Sequence, residues 1–192
     1  MMLNVLYEKY PHCVTVHGRR YPIVTDFREW IRFSELAEDE DIPWQTQVGL
    51  MLQWFEDAIP DDLESALYAL GDFLVARALY PEDDDLEEKE EKNIKPAFSF
   101  QDDAGCIYSA FAECYGIDLQ TIPYMHWWKF KTLFDWLPEN TEIKQRMMYR
   151  TIDVKTIKDK DERKRVREIQ NRIAIRKKNR YVSDYDIGDA FA

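Results

Sequence analysis

The chain of 192 residues is poor in glycine, histidine and long apolar runs, and these shortages exclude several classes of protein. Six glycines are too few for a glycine-loop nucleotide enzyme or a turn-rich β-barrel. No apolar run approaches the roughly 18 residues that a membrane helix needs. The first ten residues lack a basic region followed by an apolar stretch, so we expect no secretory signal. The sequence therefore predicts no membrane partner.

Cysteine is also scarce, with Cys13, Cys106 and Cys114 as the three members. No C-x-x-C motif is present, and Cys106 and Cys114 stand eight residues apart in a predicted helix, a rise of about 12 Å. That separation is too long for a disulfide bond. We therefore expect reduced thiols that act as small buried apolar side chains in a reducing cytoplasm.

Basic charge is concentrated at one end of the chain. Residues 1–103 carry 24 acidic and nine basic side chains, whereas residues 144–180 carry five acidic and 15 basic ones. With a net charge of −11, the whole protein is not expected to bind nucleic acid. A weak, local affinity through the C-terminal segment stays open as an alternative.

The sequence does contain a large apolar fraction, 45% of all residues with 14% aromatic, which is enough to form a core. A period-two pattern around Gly18 predicts a short β-hairpin, and helical periodicity dominates the rest. We therefore predict a mainly α fold, a multi-helix domain with a small N-terminal β-hairpin. The predicted parts are the hairpin and helices of residues 1–80, an acidic linker at 81–96, a helical region at 97–180 that ends in a basic helix, and a tail at 181–192.

Caps and apolar stripes mark the individual helices. Asp26 begins the first helix, and a basic helix is predicted from Asp159 to about Asn179. Each stripe is expected to face the core. The predicted stripes are Trp44, Val48, Met51, Leu52 and Phe55 in one helix, Leu63, Leu67, Leu70 and Leu74 in the next, and Trp127, Phe130, Phe134 and Leu137 in a later one.

No motif for catalysis stands out. The G-x-S-x-G, H-E-x-x-H, Walker A and G-x-G-x-x-G patterns are all missing from the sequence. The three histidines, His12, His17 and His126, lie at no metal-ligand spacing from one another or from a cysteine. His126, at a helix start beside two tryptophans, is interpreted as structural. We therefore predict no enzyme activity, no catalytic residue, no metal site and no cofactor.

Trp127 and Trp128 are adjacent, so their side chains point about 100° apart on a helix. Both cannot occupy the centre of one buried face. We therefore predict that one is packed in the core and that the other lines a contact surface for a partner.

The basic helix offers a second candidate surface. Val166, Ile169 and Ile173 form a narrow apolar stripe among its basic residues. A helix that only binds phosphates does not need such a stripe, whereas a helix that docks on protein does. The predicted partner-binding residues are therefore Trp127, Trp128, Val166, Ile169 and Ile173, with phosphate binding as the alternative.

Several segments of the sequence form a recognisable set. In the C-terminal half they are Phe100-Gln-Asp-Asp-Ala, Ile107-Tyr-Ser-Ala-Phe, Tyr115-Gly-Ile-Asp-Leu, His126-Trp-Trp-Lys-Phe-Lys-Thr-Leu, Leu137-Pro-Glu-Asn-Thr and Tyr149-Arg-Thr. In the N-terminal half they are the hairpin, Thr25-Asp-Phe-Arg and Ile59-Pro-Asp-Asp. Together these segments resemble the bacteriophage Gp15 family over nearly the whole chain.

The resemblance implies a role in tail morphogenesis, because family members resemble proteins encoded between the major tail protein and the tape measure protein. It implies a tail assembly chaperone that coats the tape measure protein before the tube polymerises. The implied partners are the tape measure protein, the major tail protein or further copies of the chain. The implied location is the cytoplasm of the bacterial host, outside the mature virion. Two alternatives stay open: a nucleic-acid-binding or regulatory phage protein acting through the basic helix, and a structural component of the tail or connector.

Overall fold

The structure is a computed structural model, and it describes residues 3–79 and 96–176. Within those ranges the chain forms a two-stranded antiparallel hairpin and seven α-helices, which confirms the predicted mainly α fold. The elements are β1 Cys13–Val16, β2 Arg19–Pro22, α1 Phe27–Ala37, α2 Trp44–Met51 followed by a 3₁₀ turn at Leu52–Trp54, α3 Leu63–Val75, α4 Ala104–Tyr115, α5 Trp127–Asp135, α6 Glu142–Thr151 and α7 Lys160–Arg172. In this part of the chain no helix is both long and apolar enough to cross a membrane.

His17 and Gly18 form the two-residue turn of the hairpin. Both have positive φ angles, 48° at His17 and 77° at Gly18, as a type I′ turn requires. Gly18 adopts this conformation without strain because it has no Cβ. The turn sets a register in which Val16 pairs with Arg19, and the period-two pattern places Val14 and Val16 on the buried face.

Asp26 caps α1, as predicted. Its side chain accepts the N–H of Arg28, one of the helix N–H groups that lack an intrahelical partner. From this start, Phe27, Trp30 and Phe33 recur at helical spacing and are buried in the core. The cap therefore sets the position at which the aromatic face of α1 begins.

The chain folds as two compact units that are not simply its two halves. One unit comprises Met1–Lys92 with Gly116–Leu137, and the other comprises Asn93–Tyr115 with Pro138–Ala192. The sequence-based division placed Gly116–Leu137 with the C-terminal helices instead. In the structure this segment, which contains α5, belongs with the hairpin and α1–α3.

Backbone pairing and ring stacking hold α5 in the first unit. The N–H of Phe27 donates to the Met125 carbonyl at 2.9 Å, and the N–H of Trp127 donates to the Thr25 carbonyl at 2.8 Å. The ring of Phe130 stacks on that of Phe27, with centroids 4.8 Å apart. These partners lie about 100 residues apart in sequence, so the local patterns used to divide the chain do not reveal them.

The predicted stripes of α2 and α3 are wrong in part. In α2 the exposed fraction of Trp44 is 60%, and Gln47 is buried instead because its amide donates to the carbonyls of Leu36 and Asp39. In α3 the exposed fraction of Leu63 is 46%. The residues of the predicted stripes that are buried are Met51, Leu52, Phe55 and Leu70.

The basic helix is shorter than predicted. It starts at Asp159, whose side chain accepts two N–H groups of the first turn, and it ends at Arg172. Ile173 therefore lies at the C-cap, beyond the helix proper. Residues 177–179 of the predicted helix lie outside the described residues, as do the predicted tail and residues 81–95 of the predicted acidic linker.

Candidate protein-interaction surface

Trp127 and Trp128 are both buried, with exposed fractions of 5% and 4%. The Nε1–H of Trp127 donates to the Leu74 carbonyl at 2.8 Å, and that of Trp128 donates to the Phe73 carbonyl at 2.8 Å. Both carbonyls belong to the last turn of α3, where helical carbonyls lack partners four residues further on. The prediction that one of these tryptophans lines an exposed contact surface is therefore wrong.

Helix α5 buries more than one face because it has neighbours on two sides. On one side Phe130 stacks on Phe27 of α1, and on another Trp128 packs against Phe73 of α3 with ring centroids 5.0 Å apart. Two side chains that point 100° apart can therefore both be buried. The α5 stripe of Trp127, Phe130, Phe134 and Leu137 is buried as predicted.

His126 is the N-cap of α5. Its Nδ1 accepts the N–H of Trp128 at 3.0 Å, and its Nε2–H donates to the Pro11 carbonyl at 2.9 Å. Because Nδ1 accepts, the ring is neutral with its proton on Nε2. Burial lowers the pKa of His126 to about 4; the bond to Pro11 opposes this shift, and nearby His12 adds to it. His126 therefore serves the fold.

Within the described part of the chain, no group of three His, Cys, Asp or Glu side chains lies close enough to hold a metal ion. The shallow groove of about 420 Å³ between β1 and α3 has Phe73 and Trp128 in its lining. Its charged lining residues, Asp72 and Arg77, form an ion pair at 3.2 Å. Since these two charges neutralise each other, the groove supplies neither an isolated acid nor an isolated base.

The apolar stripe of α7 faces its own unit. Val166 is buried, and Ile169 and Ile173 are half-buried. The Gln170 side chain donates to two backbone carbonyls at the C-terminal end of α6, at 2.8 Å each, which ties α7 to α6. The stripe thus contributes to the second unit. A role of Ile169 and Ile173 in binding a partner stays a prediction.

Asp103 is a buried charge that joins the start of α4 to α6. Its Oδ1 accepts bonds from Arg150 and Arg146, and its Oδ2 accepts bonds from Arg150 and the Ser99 N–H. Burial by itself raises the pKa of Asp103, but the bonds from Arg150, Ser99 and Arg146 outweigh it and hold the pKa below its usual value. Each carboxylate oxygen already accepts two bonds, so Asp103 has no free lone pair for a ligand.

Part of the basic charge counted in the sequence is engaged inside the second unit. Arg146 and Arg150 bind Asp103, and the guanidinium of Arg163 donates to a backbone carbonyl at 2.9 Å. The exposed bases of α7 share their helix with three exposed acids in or beside its first turn, Asp159, Asp161 and Glu162. The structure therefore presents less free basic surface for phosphates than the count of 15 bases in residues 144–180 indicated.

Helix α3 is apolar on two opposite faces. On one side Ala66, Leu70 and Phe73 are buried. On the other side the exposed fraction of Tyr68 is 69% and that of Val75 is 47%. Apolar residues on two opposite faces are typical of a helix that is covered on both.

We define the outer face of α3 as Glu64, Tyr68, Gly71 and Val75. These residues follow one another at spacings of four, three and four, which places them along one line of the helix. Glu64 is their one charged member, and it lies in the first turn. The outer face is therefore apolar along the last two turns of α3.

Residues 3–8, the N-terminal turn, present two further apolar side chains. The exposed fraction of Leu6 is 88% and that of Tyr7 is 78%. Asn4 organises the turn, because its Oδ1 accepts the Leu6 N–H at 3.0 Å and its carbonyl accepts the Tyr7 N–H at 3.3 Å. The N–H of Leu3 donates to the Ala78 carbonyl at 2.8 Å, which places the turn beside the C-terminal end of α3.

The candidate interaction surface consists of the outer face of α3 and the N-terminal turn. Sequence reasoning missed it because four leucines of α3 suggested a single stripe. The sequence pattern that could have predicted it is the presence of two further large apolar residues, Tyr68 and Val75, outside that stripe.

The family of the chain follows from comparison with known proteins. A family model described as Bacteriophage Gp15 protein matches residues 6–175. The chain belongs to the bacteriophage Gp15 family. The match runs from the N-terminal turn to beyond α7, so the candidate interaction surface of this Gp15 member lies almost entirely inside the family region. No curated protein and no solved structure matches the chain.

Proposed function

We propose that this Gp15 family member acts in phage tail morphogenesis, as an assembly chaperone that covers the tape measure protein before the tail tube polymerises. The observation that carries the proposal is the candidate interaction surface. Leu6, Tyr7, Tyr68 and Val75 are exposed in a folded unit whose core is formed by other side chains. Apolar side chains that a folded unit leaves exposed are available for contact with another protein.

The proposed mechanism is reversible burial of apolar side chains. Tape measure segments with apolar helical faces would be removed from water by contact with Tyr68, Val75 and the N-terminal turn. The acidic N-terminal part of the chain keeps complexes apart through like-charge repulsion, because residues 1–103 hold 24 acids against nine bases. This mechanism needs no chemical step, no metal and no cofactor, so we also propose that the protein is not an enzyme.

A deletion of the gene from the encoding phage or prophage tests the proposal. We expect capsids without tails in negative-stain electron micrographs of the lysate, with tails restored by the wild-type gene in trans. Mass spectrometry of purified wild-type virions should find none of this chain. Normal tails in the deletion mutant would refute the proposal. Stoichiometric amounts of the chain in virions would favour the alternative of a structural tail or connector component.

Complementation with surface variants tests the candidate surface itself. Tyr68→Asp should fail to restore tails, because it places a charge at the centre of the outer face of α3. Trp136→Asp is the matched control, since Trp136 is an exposed aromatic residue of the same unit outside the candidate surface, with an exposed fraction of 77%. The control should restore tails. Equal behaviour of the two variants would remove the support that the surface gives to the proposal.

A further inference from the structure

We infer that the outer face of α3 is a helix-packing surface that receives a basic amphipathic α-helix of a partner, with the closest approach of the two helices at Gly71. The inference rests on the proposed function, under which the partner is the tape measure protein.

The spacing of the outer face favours a helical partner. Spacings of four, three and four residues are those of the contact positions in packed helix pairs, where side chains of one helix enter gaps on the other. Tyr68 and Val75 are seven residues apart, so together they cover about two turns, or about 10 Å of axis. The buried side of α3 already uses Ala66, Leu70 and Phe73 for packing in the first unit. The outer face therefore forms a second, separate seam.

Gly71 lies between the two large side chains of that seam. A Cβ added at Gly71 would meet no atom within 4 Å, so the fold itself has no steric need for glycine there. Glycine in the middle of a helix is unfavourable relative to alanine. A residue without a side chain at the centre of a contact line lets a second helix backbone approach closely. A helix packed against the outer face would give Gly71 a role that its own fold does not give it.

The charge around α3 selects the charge of the partner. Residues 56–79, which run from before α3 to the last described residue after it, contain six acidic side chains and one basic side chain. That base, Arg77, is already ion-paired with Asp72. Glu64 adds a charge at the end of the outer face itself. A helix with basic residues flanking its apolar stripe fits this surface, whereas an acidic helix would be repelled.

A second copy of the chain fits the surface less well. Among the described residues, the helix richest in basic residues is α7, but its apolar stripe packs in its own unit, with Val166 buried. The rest of its surface is mostly charged or polar, so it offers little apolar area to cover Tyr68. Self-association through the outer face is therefore an outcome that the experiment must distinguish.

A photo-crosslinking experiment identifies the occupant. The full chain, with benzoylphenylalanine in place of Tyr68, is co-expressed with the tape measure protein encoded by the same phage. We expect a crosslink to one tape measure segment that has apolar residues at spacings of three and four and a net positive charge. A crosslink to a second copy of the chain or to an acidic segment, or no crosslink while the two proteins still co-purify, overturns the inference and leaves the proposed function standing. Failure of the wild-type proteins to co-purify counts against the proposed function.

A synthetic peptide with the sequence of the crosslinked segment is then used to test the role of Gly71. Its affinity is measured for the wild-type chain and for variants. Gly71→Ala should raise the melting temperature by about 2–4 °C, because alanine is favoured in a helix and open space surrounds the position. It should nevertheless weaken peptide binding about tenfold, because the added methyl group separates the helices. Gly49→Ala in α2, where an added Cβ also meets nothing within 4 Å, is the matched control. It should raise the melting temperature similarly and leave the peptide affinity unchanged.

Two results of that comparison overturn the inference. One is an equal affinity of wild type and Gly71→Ala for the peptide. The other is an affinity that stays the same between 50 mM and 300 mM salt, since attraction between a basic helix and an acidic surface must weaken as salt rises. Tyr68→Lys provides a third measurement, and it should lower the affinity by about tenfold or more because it removes an aromatic anchor and adds repulsion.

Discussion

Replacing Asp103 by Asn tests whether one buried carboxylate holds the second unit together. Asparagine keeps the volume of the side chain but loses its charge. It also turns one acceptor oxygen into an NH₂ donor, which would face the donors of Arg146 or Arg150. The substitution therefore removes an ion pair and introduces a clash between donors, without opening a cavity.

The burial of the pair sets the size of the expected loss. The side chain of Asp103 is fully buried and that of Arg150 is 6% exposed, so water cannot replace the missing partner. Breaking a buried ion pair from one side costs about 3–5 kcal/mol, because the remaining charge is left uncompensated. We expect Asp103→Asn to lower the free energy of unfolding of the second unit by that amount.

Urea denaturation of the full chain, followed by circular dichroism, measures the loss. Glu142→Gln is the matched control, because it also removes a carboxylate bound to Arg146, but one whose side chain is 63% exposed. Exposed ion pairs contribute only about 0–1 kcal/mol, so the control should unfold almost as the wild type does. A loss below about 1 kcal/mol for Asp103→Asn would refute the assignment of Asp103 as the charge that joins α4 to α6.

The pH dependence gives an independent check on Asp103. Its pKa lies below the ordinary value of 3.8 in the folded state, so folding favours the ionised form. The stabilisation is therefore fully present above pH 3.8 and is lost as the pH falls through the lower folded value. The difference in stability between wild type and Asp103→Asn should be constant near neutral pH and should shrink in acid.

Three further predictions follow from burial and protonation. Trp127→Ala and Trp128→Ala should each cost about 3–5 kcal/mol in urea denaturation, since both indoles are buried and bonded to the end of α3, and a neutral effect of either would contradict the packing. Lowering the pH from 6.5 to 4 should reduce stability by about 2–3 kcal/mol through His126, because at pH 4 the histidine of the unfolded chain is almost fully protonated whereas the folded ring, with its pKa of about 4, is only half protonated. His126→Asn, which can still cap α5, should flatten this profile. Ile169→Asp should destabilise the second unit by more than about 1 kcal/mol in the same denaturation assay, whereas exposed Arg165→Glu should stay within about 0.5 kcal/mol of wild type.

Features of the fold that depend on neighbours in sequence could be predicted from sequence. The hairpin follows from a glycine between two period-two runs, and α1 begins where Asp26 can cap it. The stripe of α5 follows from aromatic residues at helical spacing. In each case the residues that form the feature lie close together in sequence. The sequence pattern therefore contains the interactions that produce the feature.

Features that depend on distant partners could not be predicted in this way. Trp128 is buried because the end of α3 lies beside α5, and Gln47 is buried because it bonds to the chain leaving α1. Asp103 looks like any other of the 37 acidic residues in the sequence. Its available signal was the spacing of Arg146 and Arg150, which places two arginines on one helix face, and that spacing gains meaning only when α4 packs against α6.

Helix α3 shows how the unpredicted part of the fold bears on function. Its sequence is apolar in nearly every direction, so periodicity alone cannot decide which side faces the core. The fold uses the side with Ala66 and Phe73 and leaves Tyr68 and Val75 exposed. Because the fold is complete without them, these two side chains can be covered and uncovered without unfolding the unit. A chaperone that must release its client needs a binding surface that is not part of its own core. If the surface were needed for folding, the chaperone could not expose it again when the tail tube forms.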